Sequence, residues 1–305
     1  MSSEVSRHVG AHGALALAQQ IGFRAVELIP SMFGADHGRQ PSLPDDTEVA
    51  ALRAALDAHG LQAVSANAVF MPLKERWAEE DQFVPAAFRD LIARASPGDY
   101  ARYMIWLTRI AGTLGIKTIN CLGLPFVAPT AEASLGAFVD GMRPVLESAR
   151  EHGVVVCIEH EALDPLTRFE PGLRSVMTAI DHPSFGLTID ISNLFAAGIE
   201  PYPYAYRQFK PWIKHVHVRG ARRARDTDPP ESKWFERMTS LGESRQTVFT
   251  SLRDGAVNVH GLVSSLVEDS YQGFITLQPL ARGAELAELP RILEDDFAFM
   301  QRARA

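Results

Sequence analysis

One short theme recurs along this chain: a glycine closes a helical pattern and a brief apolar run follows. Ile21-Gly22-Phe23 leads into Ala25-Val26-Glu27-Leu28, and His59-Gly60-Leu61 into Ala63-Val64-Ser65. Leu114-Gly115-Ile116 leads into Thr118-Ile119-Asn120, and His152-Gly153-Val154 into Val156-Cys157-Ile158. Gln272-Gly273-Phe274 leads into Thr276-Leu277. Glycine suits the left-handed position just past a helix end. The runs after it are short and apolar, as in strands covered on both faces. A chain that alternates such strands with helices forms a parallel sheet.

The helices between the strands are legible. From Ala131 to His152, Leu135, Phe138, Val139, Met142, Val145, Leu146 and Ala149 recur at spacings of three and four, a helical stripe. Thr130 is placed to cap it, and Pro144 predicts a kink. Tyr103, Met104, Leu107, Ile110, Ala111 and Leu114 mark a second helix, Val49, Leu52 and Leu56 a third, and His260–Glu268 a shorter one.

Seven strands follow from this pattern, and a further one is expected near Glu4–His8. Eight would close a (β/α)₈ TIM barrel, and 305 residues suit that fold. A doubly wound open sheet is the alternative, but no G-x-G-x-x-G loop follows an early strand. No linker rich in Gly, Ser or Pro divides the chain, so residues 1–305 read as one α/β domain. Three segments exceed ordinary loop length: Pro30–Asp45, Phe70–Asp99 and an insertion over 220–257. In a barrel all three lie on the C-terminal face.

Composition excludes several function classes. A net charge of -7 argues against a nucleic-acid partner, although Arg219, Arg222, Arg223 and Arg225 form a local basic run. Cys121 and Cys157 lie in apolar runs and read as buried thiols of a reducing compartment. The N-terminal residues lack an apolar signal region, and no apolar run is long enough to span a membrane. A soluble cytoplasmic protein is the expectation.

Three strand-like segments end in a residue able to bind a metal. Val154–Ile158 runs into Glu159, Phe185–Ile189 into Asp190, and Ile213–Val216 into His217. Phe274–Leu277 ends in Gln278, where a fourth ligand is expected. Two carboxylates and an imidazole suit Mn²⁺, Mg²⁺ or Co²⁺ with open positions for substrate oxygens; Zn²⁺ is also compatible. Such an ion polarises a carbonyl, and a carboxylate beside it can move the proton on the neighbouring carbon. The bland alternative is that each residue caps a strand or makes a salt bridge.

These segments resemble the xylose-isomerase-like TIM-barrel superfamily, the sugar phosphate isomerases and epimerases. Gly22-Phe23-Arg24-Ala25-Val26-Glu27-Leu28 is similar to the family's early "G-F-x-x-V-E-L". Gly153–Glu159, Gly186–Asp190 and Ile213–His217 resemble its three ligand-bearing strands, and Tyr271–Leu277 its last strand, which normally ends in Glu. The resemblance implies a divalent-metal-dependent isomerase or epimerase of a sugar, keto-sugar or polyol, acting through an enediolate. Glu159, Asp190 and His217 would be the ligands, with Gln278 as a weak fourth, Mn²⁺ the first choice of ion, and Glu159 the base.

Two residues depart from the family's pattern. Asn193 replaces the His of D-x-x-H, and Gln278 replaces the closing Glu. With Glu159 as the one base left, a lyase of the same superfamily is the alternative, as is a degenerate barrel that binds a carbohydrate or a partner chain. Asn193 and Arg223 (six residues after His217) are expected to bind substrate, with Glu27 and Asn120 from earlier strand ends. Asn67 is a further candidate for a hydroxyl, and Phe70, Phe126 and Trp234 for an apolar wall. His160 and Glu161 follow Glu159, and His215 reads as a core histidine beneath His217. A homo-oligomer is expected.

Overall fold

The computed structural model describes residues 1–2, 5–29, 45–68, 97–122, 130–160, 167, 170–229, 233–238, 244–279 and 287–304. Seven strands run parallel in one sheet, in chain order: β1 (Ala25–Leu28), β2 (Gln62–Ala68), β3 (Thr118–Leu122), β4 (Val155–Glu159), β5 (Phe185–Asp190), β6 (Ile213–Val218) and, last, Ile275–Leu277. This is the α/β architecture expected from the glycine theme. The strand expected at Glu4–His8 is not there: Ser6–His8 lie in helix α1 (Ser6–Ile21). A single parallel bridge, Ser2 to Glu27, stands in its place. No described helix is long and apolar enough to cross a membrane.

Backbone contacts divide the chain into two compact units, Met1–Glu159 with Ser175–Gly186, and His160–Arg174 with Leu187–Ala305. In the first unit, α2 (Asp46–Ala58) opens with a capping box that the apolar pattern did not reveal. The Asp45 carboxylate accepts from Thr47 and Glu48 N–H, and Glu48 accepts from Asp45 N–H. This satisfies donors that a helix start leaves open. Val49, Leu52 and Leu56 are buried as their spacing requires. Helix α3 (Pro97–Leu114) buries Tyr103, Met104, Leu107, Ile110 and Ala111. Helix α4 (Ala131–Glu151) is capped by Thr130 as expected, and its helical assignment continues through Pro144. It buries Phe138, Met142, Val145, Leu146 and Ala149.

Gly22, Gly60, Gly115 and Gly153 all have positive φ, which matches the expected helix ends. Gly273 does not. There, an added Cβ would meet the Tyr271 hydroxyl at 2.2 Å and the Lys214 carbonyl at 2.9 Å. Glycine at that point answers to close packing, and the helix before it ends at Glu268, with Asp269 as its C-cap.

In the second unit, α5 (Glu170–Ile180) begins before the unit boundary and α6 (Ile191–Ala197) follows β5 directly. Within the insertion at 220–257, the described residues include a three-stranded antiparallel sheet. It comprises β7 (Gly220–Arg223), β8 (Lys233–Met238) and β9 (Ser244–Thr250), in the order β7-β9-β8. Helix α7 (Val259–Glu268) is capped by Asn258, which accepts from Gly261 N–H. Strand β10 (Ile275–Leu277) pairs with β6, and α8 (Leu289–Arg304) ends the chain. Pro30–Asp45 and Phe70–Asp99, expected as long loops, fall largely outside the described residues, as do Phe70, Phe126 and Glu161.

Candidate functional site

Strand ends carry the chemistry in both units. In the first, parallel register sets Asn67 beside Asn120 and Leu122 beside Glu159. Side chains alternate along a strand, so Asn120 shares a face with Glu159 and reaches it diagonally. The Asn120 amide donates to Glu159 Oε2 and, at 3.3 Å, to Asn67 Oδ1. Two acceptors around one nitrogen fix which end of this amide is which. Its oxygen, Oδ1, is buried and accepts no hydrogen bond from the described residues. A buried acceptor left open costs about 1–3 kcal/mol, and a ligand hydroxyl is one group that would fill it. Glu159 is 2% exposed. Its neighbour Cys121 is pushed up to about 12, first by burial and also by the charge of Glu159. Glu27 is wholly buried on β1 and accepts from the Ser65 hydroxyl at 2.8 Å.

In the second unit, Asp190 and His217 are register partners on neighbouring parallel strands. Both are fully buried. Asp190 ends β5 and caps α6: Oδ1 accepts from Ser192 N–H at 2.8 Å, Asn193 N–H at 2.9 Å and the Ser192 hydroxyl at 2.5 Å. Oδ2 accepts from Arg219 Nη2 at 3.1 Å. A carboxylate oxygen has two lone pairs, so Oδ2 keeps one for a cation. Burial works to raise the Asp190 pKa. The Arg219 guanidinium, then His217, Ser192 and Asn193, outweigh it and hold the carboxyl below its usual range.

Arg219 is the functional candidate that sequence reading passed over as part of a basic run. It follows β6 two residues after His217, which puts both side chains on one face. That two-residue spacing was the available signal. Its Nε donates to Ser192 Oγ at 2.7 Å, and Nη2 reaches Asn193 Oδ1 at 3.3 Å. The guanidinium lies 4.2 Å from the Phe249 ring centre, a cation–π distance.

The other candidates fall out as follows. Asn193 is buried, with its amide nitrogen on the His160 carbonyl at 3.2 Å and its oxygen on Arg219. It therefore braces the start of α6. His215 is buried, with Nε2 3.0 Å from the Thr276 hydroxyl and its ring edge-on to His217 at 5.1 Å. That packing fits the core role read from sequence. Gln278 is 4% exposed, and its N–H donates to the Val218 carbonyl at 3.0 Å. Leu277 pairs with Val218, and Gln278 follows the end of that strand. Arg223 ends β7 with its guanidinium 4.7 Å from the Phe195 ring centre. Arg222 is bound to Asp228 by two contacts, at 2.7 and 2.8 Å. His160 is buried.

Comparison with known proteins gives a consistent picture. The sequence profile of the family described as "Xylose isomerase-like TIM barrel" matches residues 15–303. A curated relative, a 3-dehydroshikimate dehydratase from Bacillus anthracis, is 26% identical over 82 residues, 27% of this chain and 29% of that protein. Among solved structures, a xylose isomerase-like TIM barrel protein from Mycobacterium smegmatis in complex with magnesium has a TM-score of 0.64. It is 15% identical, over 96% of this chain and 89% of that one. A D-psicose 3-epimerase from Clostridium cellulolyticum H10, solved with D-tagatose, also has a TM-score of 0.64. It is 13% identical, over 96% and 93%. At these identities the solved structures speak for the fold.

Proposed function

Because this chain belongs to the xylose isomerase-like TIM barrel family, we propose that it is a divalent-metal-dependent isomerase or epimerase of a sugar, keto-sugar or polyol. The observation that carries the reading is the side-by-side register of Asp190 and His217 on β5 and β6. A hard carboxylate oxygen with one lone pair to spare and an imidazole beside it form the nucleus of a divalent site. On this reading Glu159, at the end of β4, would be a third ligand, and Gln278 would offer an amide oxygen as a weak fourth. Mn²⁺ suits this set of oxygen and nitrogen donors, and Mg²⁺, Co²⁺ and Zn²⁺ are compatible with it. Lewis acidity toward a carbonyl oxygen is the chemistry such an ion supplies.

The chain's own residues do the rest. Glu159 takes the proton from the carbon next to the carbonyl. Asn120 aims that carboxylate by donating to Oε2, and its open Oδ1 accepts from a substrate hydroxyl. Arg219, Ser192 and Asn193 hold Asp190 in place. Arg223 and Glu27 are further substrate contacts on this reading. Gln278 brings no second base, so the proton returns from Glu159, from water or from the substrate itself.

That absence of a second base at position 278 favours one alternative, elimination by a lyase of the same family. The curated relative that aligns over 82 residues, at 26% identity, is a dehydratase. Metal analysis of protein purified without chelator, followed by Mn²⁺ titration, tests the site. One bound divalent ion per chain supports the reading, and no binding at millimolar Mn²⁺ overturns it. With an identified substrate, solvent deuterium incorporation without loss of water marks an isomerase or epimerase; release of water marks the lyase.

A further inference from the structure

Two amides beside Glu159 leave one donor and one acceptor open, and their neighbours fix which is which. Asn67, Asn120 and Glu159 lie on three adjacent strands, β2, β3 and β4, of the first compact unit. All three are buried. An ionised carboxylate only accepts, so the Asn120 atom that meets Glu159 Oε2 is the amide nitrogen. The second hydrogen of that nitrogen goes to Asn67, 3.3 Å away, so the Asn67 atom there is its oxygen. Asn120 therefore keeps its oxygen, for which no described residue is a donor. Asn67 keeps its nitrogen, for which no described residue is an acceptor.

An open acceptor and an open donor on two register partners match a group that both donates and accepts. A hydroxyl does both. A ketone, ether or carboxylate oxygen only accepts, and would set a lone pair against Asn120 Oδ1. Closeness to Glu159 says where that hydroxyl sits. Oδ1 belongs to the same amide whose nitrogen touches Oε2. A group bound to it lies on the carbon from which Glu159 would take a proton, or on the carbon next to that one.

Resting on Glu159 as the base of the reading above, we propose that Asn67 and Asn120 together select the substrate by a free hydroxyl at that position, which donates to Asn120 Oδ1 and accepts from Asn67 Nδ2. Asn67 is then a specificity residue, and its oxygen also keeps the Asn120 amide from turning over. The substrate class follows: hydroxy carbonyl compounds whose hydroxyl there is unsubstituted. Deoxy, O-methyl and dicarbonyl analogues are rejected, because each leaves the buried acceptor open.

The test uses the full chain loaded with Mn²⁺, titrated calorimetrically with the D-ketohexoses and then with the 1-, 3- and 4-deoxy and O-methyl analogues of the tightest binder. One deoxy analogue is expected to bind about tenfold or more weakly than its parent, the scale of one buried acceptor left open, and the O-methyl analogue at that position no better. Asn67→Asp keeps the acceptor for Asn120 and removes the donor to the hydroxyl. It should shrink the ratio of parent to that deoxy analogue by about threefold or more and leave the other deoxy ratios as in wild type. A ratio does not move when folded protein or metal is simply lost. Equal affinity for the parent and all its deoxy analogues would overturn the inference, whether or not the variant folds. So would a ratio that Asn67→Asp leaves intact. Mn²⁺ binding with no ketohexose bound at millimolar concentration sinks this inference alone. If the chain fails to bind Mn²⁺ at all, the metal-site reading falls and this inference falls with it.

Discussion

Arg219 Nη2 donates to Asp190 Oδ2 at 3.1 Å, with 10% of the arginine side chain and none of the aspartate exposed. A carboxylate proposed as a metal ligand is therefore already half of an ion pair. Its three remaining hydrogen bonds come from the first turn of the helix it caps. Asp190 is at once a ligand candidate, a helix cap and the counter-charge of a buried guanidinium. Substitutions there are not simple rim changes.

That triple role separates the two ligand variants. His217→Gln is expected to weaken Mn²⁺ binding about tenfold or more while the chain stays folded, since one ligand is commonly worth that much. Asp190→Ala should lose the metal as well and also destabilise the chain by about 3–5 kcal/mol, because it strands a buried cation. Calorimetric Mn²⁺ titration and urea unfolding of both variants check this. An Asp190→Ala chain as stable as wild type would refute the ion-pair account.

Position 278 tests the proposed ligand set. Gln278→Glu is expected to tighten Mn²⁺ binding by about tenfold, the scale of one added carboxylate on a hard cation. Calorimetry with Mn²⁺ would show it; Mn²⁺ affinity that does not rise would count against Gln278 as a ligand.

Asn120 should matter through Glu159. Asn120→Leu removes a donor to the buried Glu159 Oε2, at a cost of about 1–3 kcal/mol. Urea denaturation at pH 7 measures it, and the loss should shrink at low pH as Glu159 becomes protonated. A pH-independent loss would mean that packing alone was removed.

A fourth expectation lies away from the site. Burial pushes Asp296 on α8 up to about 6, against the opposing effect of the Leu252 N–H that it accepts at 2.8 Å. A carboxyl whose folded pKa lies above its unfolded value favours folding when protonated, and that contribution is lost as pH rises through about 6. Asp296→Asn keeps the acceptor for Leu252 and removes the charge. It should therefore be more stable than wild type at pH 7.5, with the difference fading by pH 4. Equal stability of the two chains at pH 7.5 would remove the argument.

The amino-acid sequence by itself determined the sheet and its functional strand ends. Helix periodicity, four left-handed glycines and short apolar runs are local signals, and each gave its element in nearly the right place. Glu159, Asp190 and Gln278 read correctly as strand-end residues because alternation and strand length are local too. What sequence could not supply were the partners. Arg219 looked like one arginine of a basic run until contact with Asp190 and Ser192 placed it in the interior. Nothing in the sequence showed that the Asn193 amide lies between Arg219 and the His160 carbonyl. Glu4–His8 looked like a strand although Ser6–His8 are helical. In each case the deciding interaction joins residues that spacing alone does not pair. Burial then makes that interaction obligatory, because a buried charge or amide must find its partner wherever the fold brings one.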